Sequence, residues 1–403
     1  MKKNIIKEQL NKSDEYFAVY DFLQRIESAS KMEIMHELNI KKTTLVRILD
    51  SLEEAKLVYQ SGKKLNGIGR PSITYKVNKH FGYLIGVHIT RMRVMVTLLD
   101  LKFEEINSKI SYMTSFHSPS FIISFIQNSI DELLVENQLS KDDIFSIGIA
   151  AVGSLNKKEG LIYQSQSFIQ GGELNFRIVD EMKSYFNGTI ILDKGVNASI
   201  TAEHYFAHKR SNNLLLIVSG GWGLDCGIIK DNQLLTTNLE DGKAIEHMVI
   251  NFEGKPCRCG KNGCLITFTS FEYILNKIKA ELPTYESINT KEITNATVTE
   301  AVNFLKSLNK SATEIIMNTA KPLAIGAINL SNIFKVDRII INGPLFEHFP
   351  NYFDLVTSYF ESIKGDIETT IDNGELGDYA SVKGAGIMSF QAFIHSSDSE
   401  SMD

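Results

Sequence analysis

The sequence predicts an α/β protein in which a small helical head precedes a larger body. Three observations carry this prediction. Charge is divided along the chain: residues 1–80 hold 15 Lys and Arg against 10 Asp and Glu, and the remainder holds 27 against 38. Before residue 80, three short helical patterns lead into a basic, glycine-rich hairpin. After it, short apolar runs that end in glycine alternate with helical patterns. At 403 residues, 43% hydrophobic and 22% charged, the chain can bury more than one core. It has no run approaching the roughly 18 apolar residues that a membrane-spanning helix needs. Four cysteines do not make a disulfide framework. The charged N-terminus has no apolar core of an export signal, so a cytoplasmic location is expected.

In the head, YFAVYDFLQRIES (16–28) and KMEIMHELN (31–39) read as two helices, with Ile34, Met35 and Leu38 facing inward. A third follows Ile40. Thr43 or Thr44 is expected to cap it, and Leu45, Ile48, Leu49 and Leu52 form its buried stripe. Lys42, Thr43, Thr44 and Arg47 lie near its N-terminus, where a recognition helix presents side chains to the major groove. The strands LVYQ (57–60) and ITYKV (73–77) then flank SGKKLNGIGRPS. This reads as a wing whose Lys63, Lys64 and Arg70 reach phosphates or the minor groove. A basic winged helix-turn-helix on an acidic body points to double-stranded DNA as partner.

The body opens with two strand-like runs joined by a tight turn in FGYLIGVHITRMRVMVTLLDLKFEEI. IFSIGIAAVGSL is a buried strand, and GTIILDKGVNASITAEHYFAH is a strand running into a helix. NNLLLIVSGGWGLDCGIIKDNQLL reads as strand, glycine turn, strand. VDRIIINGPL is a buried strand and ASVKGAGIMSFQAF a closing helix. Residues 270–335 are mostly helical, and 396–403 read as a disordered tail.

Three of the four cysteines fall within eight residues, in Cys257-Arg-Cys259-Gly-Lys-Asn-Gly-Cys264, with His247 upstream. Thiolates and imidazole are the ligands Zn²⁺ prefers, and these four side chains fill a tetrahedron. With no position left for water, the ion would be structural. Gly260 and Gly263 let the loop turn tightly.

This motif, the head before it and Gly69-Arg-Pro71 between them resemble the repressor branch of the ROK family (repressors, open reading frames, kinases). The resemblance runs from about residue 13 to 395. It implies a two-lobed, actin-like, sugar-kinase-like (ribonuclease H-like) body that forms homodimers or tetramers. It divides the chain into a head (1–79), a first lobe (80–197, completed by 380–395) and a second lobe with the metal (198–379).

Several family motifs are altered here. The first phosphate turn, Asp-x-Gly-Gly-Thr, matches His88-Ile-Thr-Arg-Met92. The catalytic base in Asn-Asp-Ala-Asn-Ala falls on Gly195 of Lys194-Gly-Val-Asn-Ala198, and glycine cannot accept a proton. The second phosphate turn reads Gly221-Trp-Gly-Leu-Asp-Cys-Gly227, with Asp225 facing where phosphate would lie. No ATP binding and no enzyme activity are expected. The sugar-holding Glu-x-Gly-His is Ala244-Ile-Glu246-His247, and the glutamate after the last cysteine is Ile266. Lys194, Asn197 and Glu246 remain as candidate effector contacts, and Lys194 could meet an acidic or phosphorylated sugar.

The expected function is a transcriptional regulator, most simply a repressor of sugar-metabolism genes, that binds a pseudo-palindromic operator as a symmetric oligomer. Two other readings stand beside it. One is a sugar kinase that kept a DNA-binding head. The other is a regulator that answers only to a protein partner, such as a phosphotransferase component.

Overall fold

The computed structural model describes residues 1–64, 72–113, 118–163, 175–207, 211–235, 243–290, 293 and 298–396. The expected wing tip with Arg70, and the tail from 397, lie outside these residues.

The head contains α1 (Lys2–Leu10), α2 (Asp14–Arg25), α3 (Lys31–Leu38) and α4 (Lys42–Glu54). Strands β1 (Ala29–Ser30), β2 (Val58–Lys64) and β3 (Ser72–Val77) form an antiparallel sheet in the order β1-β3-β2. A capping box starts α3: Ser30 Oγ accepts the Glu33 N–H, and Glu33 Oε2 accepts the Ser30 N–H at 2.7 Å. Asn39 ends it in the left-handed region, at φ 51°. Leu45, Ile48, Leu49 and Leu52 of α4 are fully buried, as the spacing predicts. The expected cap is corrected. Lys41 holds the extended backbone of the N-cap, so Thr43 and Thr44 fall inside the first turn, and no side chain caps α4. β2 runs to Lys64, beyond the expected Gln60, with its register shifted between Gln60 and Gly62.

Helix α1 escaped the sequence reading. Only Ile6 and Leu10 of it are buried, too few for a legible stripe. The C-terminal helix (Ala380–His395) holds it in place: Asn11 Nδ2 donates to the Ile394 carbonyl at 2.7 Å, and Lys7 Nζ to Ser396 Oγ at 3.0 Å.

In the body, β4 (Tyr83–Ile89), β5 (Arg93–Asp100) and β6 (Glu105–Tyr112) form an antiparallel meander. The sequence predicts only the first two of these strands. Helix α5 (Pro119–Glu136) buries Ile122, Ile126, Ile130 and Leu133 in the core beside this sheet. β7 (Ile144–Ala151) pairs parallel with β4. A small sheet of β8 (Ser154–Asn156), β9 (Leu161–Tyr163) and β10 (Asn175–Phe176) follows, then α6 (Ile178–Lys183). β11 (Thr189–Lys194) pairs parallel with β7, completing the order β11-β7-β4-β5-β6. Helix α7 (Gly195–Ala202) continues as one π-helical segment, Glu203–Ala207.

The second sheet repeats this plan. β12 (Leu214–Ser219), β13 (Leu224–Lys230) and β14 (Gln233–Leu234) form the meander. β15 (Arg338–Asn342) and β16 (Thr370–Asp372) add in parallel, in the order β14-β13-β12-β15-β16. Two sheets of one topology, each with its helices, form the two lobes.

Helix α7 packs against both sheets, and the expected lobe boundary after residue 197 falls inside it. Glycines permit the approach. A Cβ on Gly384 would lie 1.7 Å from the Ala198 carbonyl, and one on Gly227 2.8 Å from the Val196 carbonyl.

The head does not hang on a linker. Tyr16, Val19, Tyr20 and Leu23 of α2 share one core with Leu99, Phe103, Phe145, Tyr205, Phe390 and Phe393 of the body. Inside it, buried Gln24 donates to the Leu101 carbonyl at 2.5 Å. No helix among the described residues is long and apolar enough to cross a membrane.

Candidate metal centre, DNA face and cleft

The metal centre begins at α8 (Lys243–Glu246), which delivers His247. The chain then loops back through the bridges Val249–Cys264 and Pro256–Asn262. Gly263 is required twice over. Its φ is +67°, and a Cβ there would lie 1.5 Å from the Asn251 carbonyl. The loop brings the ligand atoms of His247, Cys257, Cys259 and Cys264 within 4.8 Å of one another. Cys257 Sγ lies 3.3 Å from His247 Nδ1, and Cys259 Sγ 3.6 Å from Cys264 Sγ. Cys259 is exposed and the other three ligands are buried. Three sulfurs and one imidazole nitrogen at these separations fit a closed tetrahedral Zn²⁺ site. Helices α9 (Ile266–Thr269) and α10 (Phe271–Glu281) follow, so Cys264 and Leu265 enter the core of the second lobe. At the tip of the loop Phe252 is 87% exposed, so this part gains nothing from apolar burial.

On the candidate DNA face, Lys42, Thr43 and Arg47 are exposed on the first two turns of α4, and Thr44 is half-buried. Lys63 and Lys64 lie on β2 opposite Ile73 and Ser72. Arg70 is outside the described residues.

In the cleft, Lys194 and Asn197 are brought together at the start of α7, both buried. Asn197 Nδ2 donates to Asp193 Oδ1 at 2.8 Å, and Lys157 Nζ donates to Asp193 Oδ2 at 2.6 Å. Asp193 also accepts the Lys194 backbone N–H at 2.7 Å. Asn197 is thereby turned toward the protein's own carboxylate. Burial pushes Asp225 up to about 6, against the pull of the Lys194 ammonium. Glu246 is buried too; its Oε1 lies 2.9 Å from Arg258 Nη2 and 3.2 Å from His247 Nε2.

His88 stands at the other side of Gly195: a Cβ on this glycine would lie 3.0 Å from His88 Nε2. Burial, then the Arg93 charge, hold His88 down to about 4, and its Nδ1 has no partner among the described residues. The β4–β5 turn at Thr90–Met92 reaches the second lobe, where Met92 packs on the core. The β12–β13 turn closes through Gly220 N–H to the Gly223 carbonyl at 2.9 Å, with Trp222 edge-on to Phe271 at 5.3 Å.

Sequence reasoning missed Lys157 and Arg258. Nothing local marks Lys157, which lies 36 residues from the carboxylate it meets. Arg258 carried a signal, because a residue between two cysteine ligands must lie beside the metal.

The sequence pattern of the ROK family matches residues 84–391. The chain belongs to the ROK family. It is 26% identical over 320 residues to the xylose repressor of Caldicellulosiruptor bescii, covering 78% of this chain and 79% of that one. The fold agrees with a solved ROK family transcriptional regulator, a homolog of the E. coli MLC protein. The TM-score is 0.70 at 18% identity, over 97% of each chain. A ROK family glucokinase from Streptomyces griseus, solved with glucose and AMPPNP, matches at TM-score 0.59 and 17% identity. It covers 77% of this chain and 100% of its own. The glucokinase thus leaves part of this chain unmatched, whereas the regulator spans nearly all of it. The expected helical head before a two-lobed sugar-kinase-like ROK body is the fold observed, with the strands that flank the expected wing paired as β2 and β3.

Proposed function

We propose that this ROK protein is a DNA-binding transcriptional regulator, a repressor of sugar-metabolism genes, and not an enzyme. One observation carries the reading: the head exposes Lys42, Thr43 and Arg47 on α4, while the position of the kinase base is Gly195, packed against a half-buried His88 held neutral. The xylose repressor relationship supports the sugar assignment. In this reading residues 1–79 bind double-stranded DNA, with Lys63, Lys64 and Arg70 on the wing. Residues 80–197 with 380–395 form one lobe and 198–379 the other. A homodimer or tetramer meets a pseudo-palindromic operator, and structural Zn²⁺ on His247, Cys257, Cys259 and Cys264 holds one wall of the cleft.

The test is fluorescence anisotropy on DNA from upstream of its own gene against scrambled DNA, at one fixed salt. A preference of roughly 10³ or more supports the proposal. Equal binding, unchanged by a panel of sugars and sugar phosphates, together with ADP release on a hexose, would return the protein to the kinases.

A second reading, control by a protein partner alone, is favoured by one feature. Asn197 and Glu246, two of the three expected effector contacts, are engaged with the protein itself. Thermal shift across the same panel separates the two, since a ligand at 100 times its Kd stabilises by about 2.7 kcal/mol.

A further inference from the structure

We propose that Glu246 is a positioning residue for the metal: its carboxylate accepts the Nε2 proton of His247 and so presents Nδ1 to the ion. The proposal rests on the reading of the His–Cys cluster as a zinc site.

Glu246 is the last residue of α8, directly before the histidine, and is 5% exposed. Its Oε1 lies 3.2 Å from His247 Nε2, at ion-pair distance. An ionised carboxylate can only accept, so the proton must sit on Nε2. That leaves the Nδ1 lone pair on the side of the cysteines, 3.3 Å from Cys257 Sγ. A carboxylate behind a ligating imidazole fixes the ring and makes it a better donor.

A buried carboxylate with no partner would be costly. Here Arg258 Nη2 reaches the same Oε1 at 2.9 Å, and Oε2 lies 3.5 Å from the Leu224 backbone nitrogen. Arg258 stands between the ligands Cys257 and Cys259. The arrangement therefore closes on itself. The ion holds the Cys-x-Cys loop, the loop carries Arg258, Arg258 neutralises Glu246, and Glu246 orients the remaining ligand. The Arg91 guanidinium of the β4–β5 turn lies within electrostatic range of both Arg258 and Glu246. The carboxylate that sequence comparison offered to an effector thus has a role facing the metal.

The full-length chain is loaded with Zn²⁺ and titrated with a chromophoric chelator, as wild type, Glu246→Gln, Glu246→Ala and His247→Ala. The wild type is expected to hold one zinc per chain. Glu246→Ala should bind it about 10- to 100-fold more weakly. Glu246→Gln keeps a carbonyl acceptor and should recover most of that loss. In ¹⁵N spectra the Nε2 proton of His247 should be slow to exchange in wild type and Glu246→Gln, and fast in Glu246→Ala. Wild-type affinity and exchange in both glutamate variants, with zinc lost from His247→Ala, overturns the positioning role and leaves the zinc site standing. A wild type that takes up no zinc overturns both. If Glu246→Ala does not fold, exchange at Nε2 decides: a proton as fast in the folded wild type as in free histidine rules the proposal out.

Discussion

The Tyr205 hydroxyl donates to Asp21 Oδ1 at 2.9 Å, joining the π-helical end of α7 to helix α2 of the head. Arg25 completes the contact, 2.6 Å from Asp21 Oδ2 and stacked 4.2 Å over the Tyr205 ring. Burial pushes the Asp21 carboxyl up, and Arg25 opposes it. Helix α7 starts in the cleft at Gly195, so one continuous element touches both the cleft and the head. Removing the hydroxyl leaves the half-buried carboxylate one donor short. Tyr205→Phe should cost about 1–2 kcal/mol. Because head and body share a core, urea should unfold the variant in one transition with a lower midpoint. Two separated transitions would contradict the shared core.

Arg47 is exposed on α4, so its loss should leave the fold intact. Arg47→Ala should weaken operator binding about tenfold at fixed salt. If the contact is to phosphate, the slope of log affinity against log salt should fall by about 0.9. Unchanged affinity would remove α4 as the reading helix.

His88 and Asp225 should act on stability in opposite directions over one pH window. An unfolded histidine takes a proton near 6.5, but folded His88 waits until about 4. It therefore costs stability as pH falls through that range. Asp225 releases its proton near 3.9 when unfolded and near 6 when folded. It therefore costs stability as pH rises through its range. Relative to wild type, Asp225→Asn should gain a steeper loss of stability toward acid, and His88→Leu a shallower one. Melting temperatures from pH 4 to 7 check this. Parallel curves for all three proteins would show that neither group is shifted.

Restoring the acid at position 195 should not restore phosphoryl transfer. In Gly195→Asp the new side chain meets His88 Nε2 at its first carbon, 3.0 Å away. A coupled ADP assay with hexoses should stay silent, and stability should drop by about 1–3 kcal/mol through overpacking. Turnover in this variant would mean that only the base had been lost.

Metal removal should loosen the cleft wall. Chelation should lower the melting temperature and make the three cluster cysteines reactive toward thiol reagents, with buried Cys264 protected while zinc is bound. Identical labelling with and without chelator would exclude a closed site.

Part of this was written locally in the chain. The stripe Leu45, Ile48, Leu49, Leu52 needs only the helical repeat, and the cysteine cluster only spacing. The glycine at position 195 followed from the family resemblance. Other features were not local. Thr43 looked like a cap, but the backbone turned into the helix at Lys42, which hydroxyl chemistry alone does not dictate. Helix α1 shows too little periodicity to be read, because its stability comes from residues almost four hundred positions away.

By itself, the sequence determined most of the kinds of element and the His–Cys set that clusters, because these depend on residue type and on neighbours a few positions apart; the loss of the base at Gly195 came with the family resemblance. The tertiary structure alone decided that the head shares a core with the body, that Lys157 and Asn197 hold Asp193, and that Glu246 lies between His247 and Arg258. Those outcomes follow from packing and burial, which select partners by distance in space and give each buried charge the counterpart it requires.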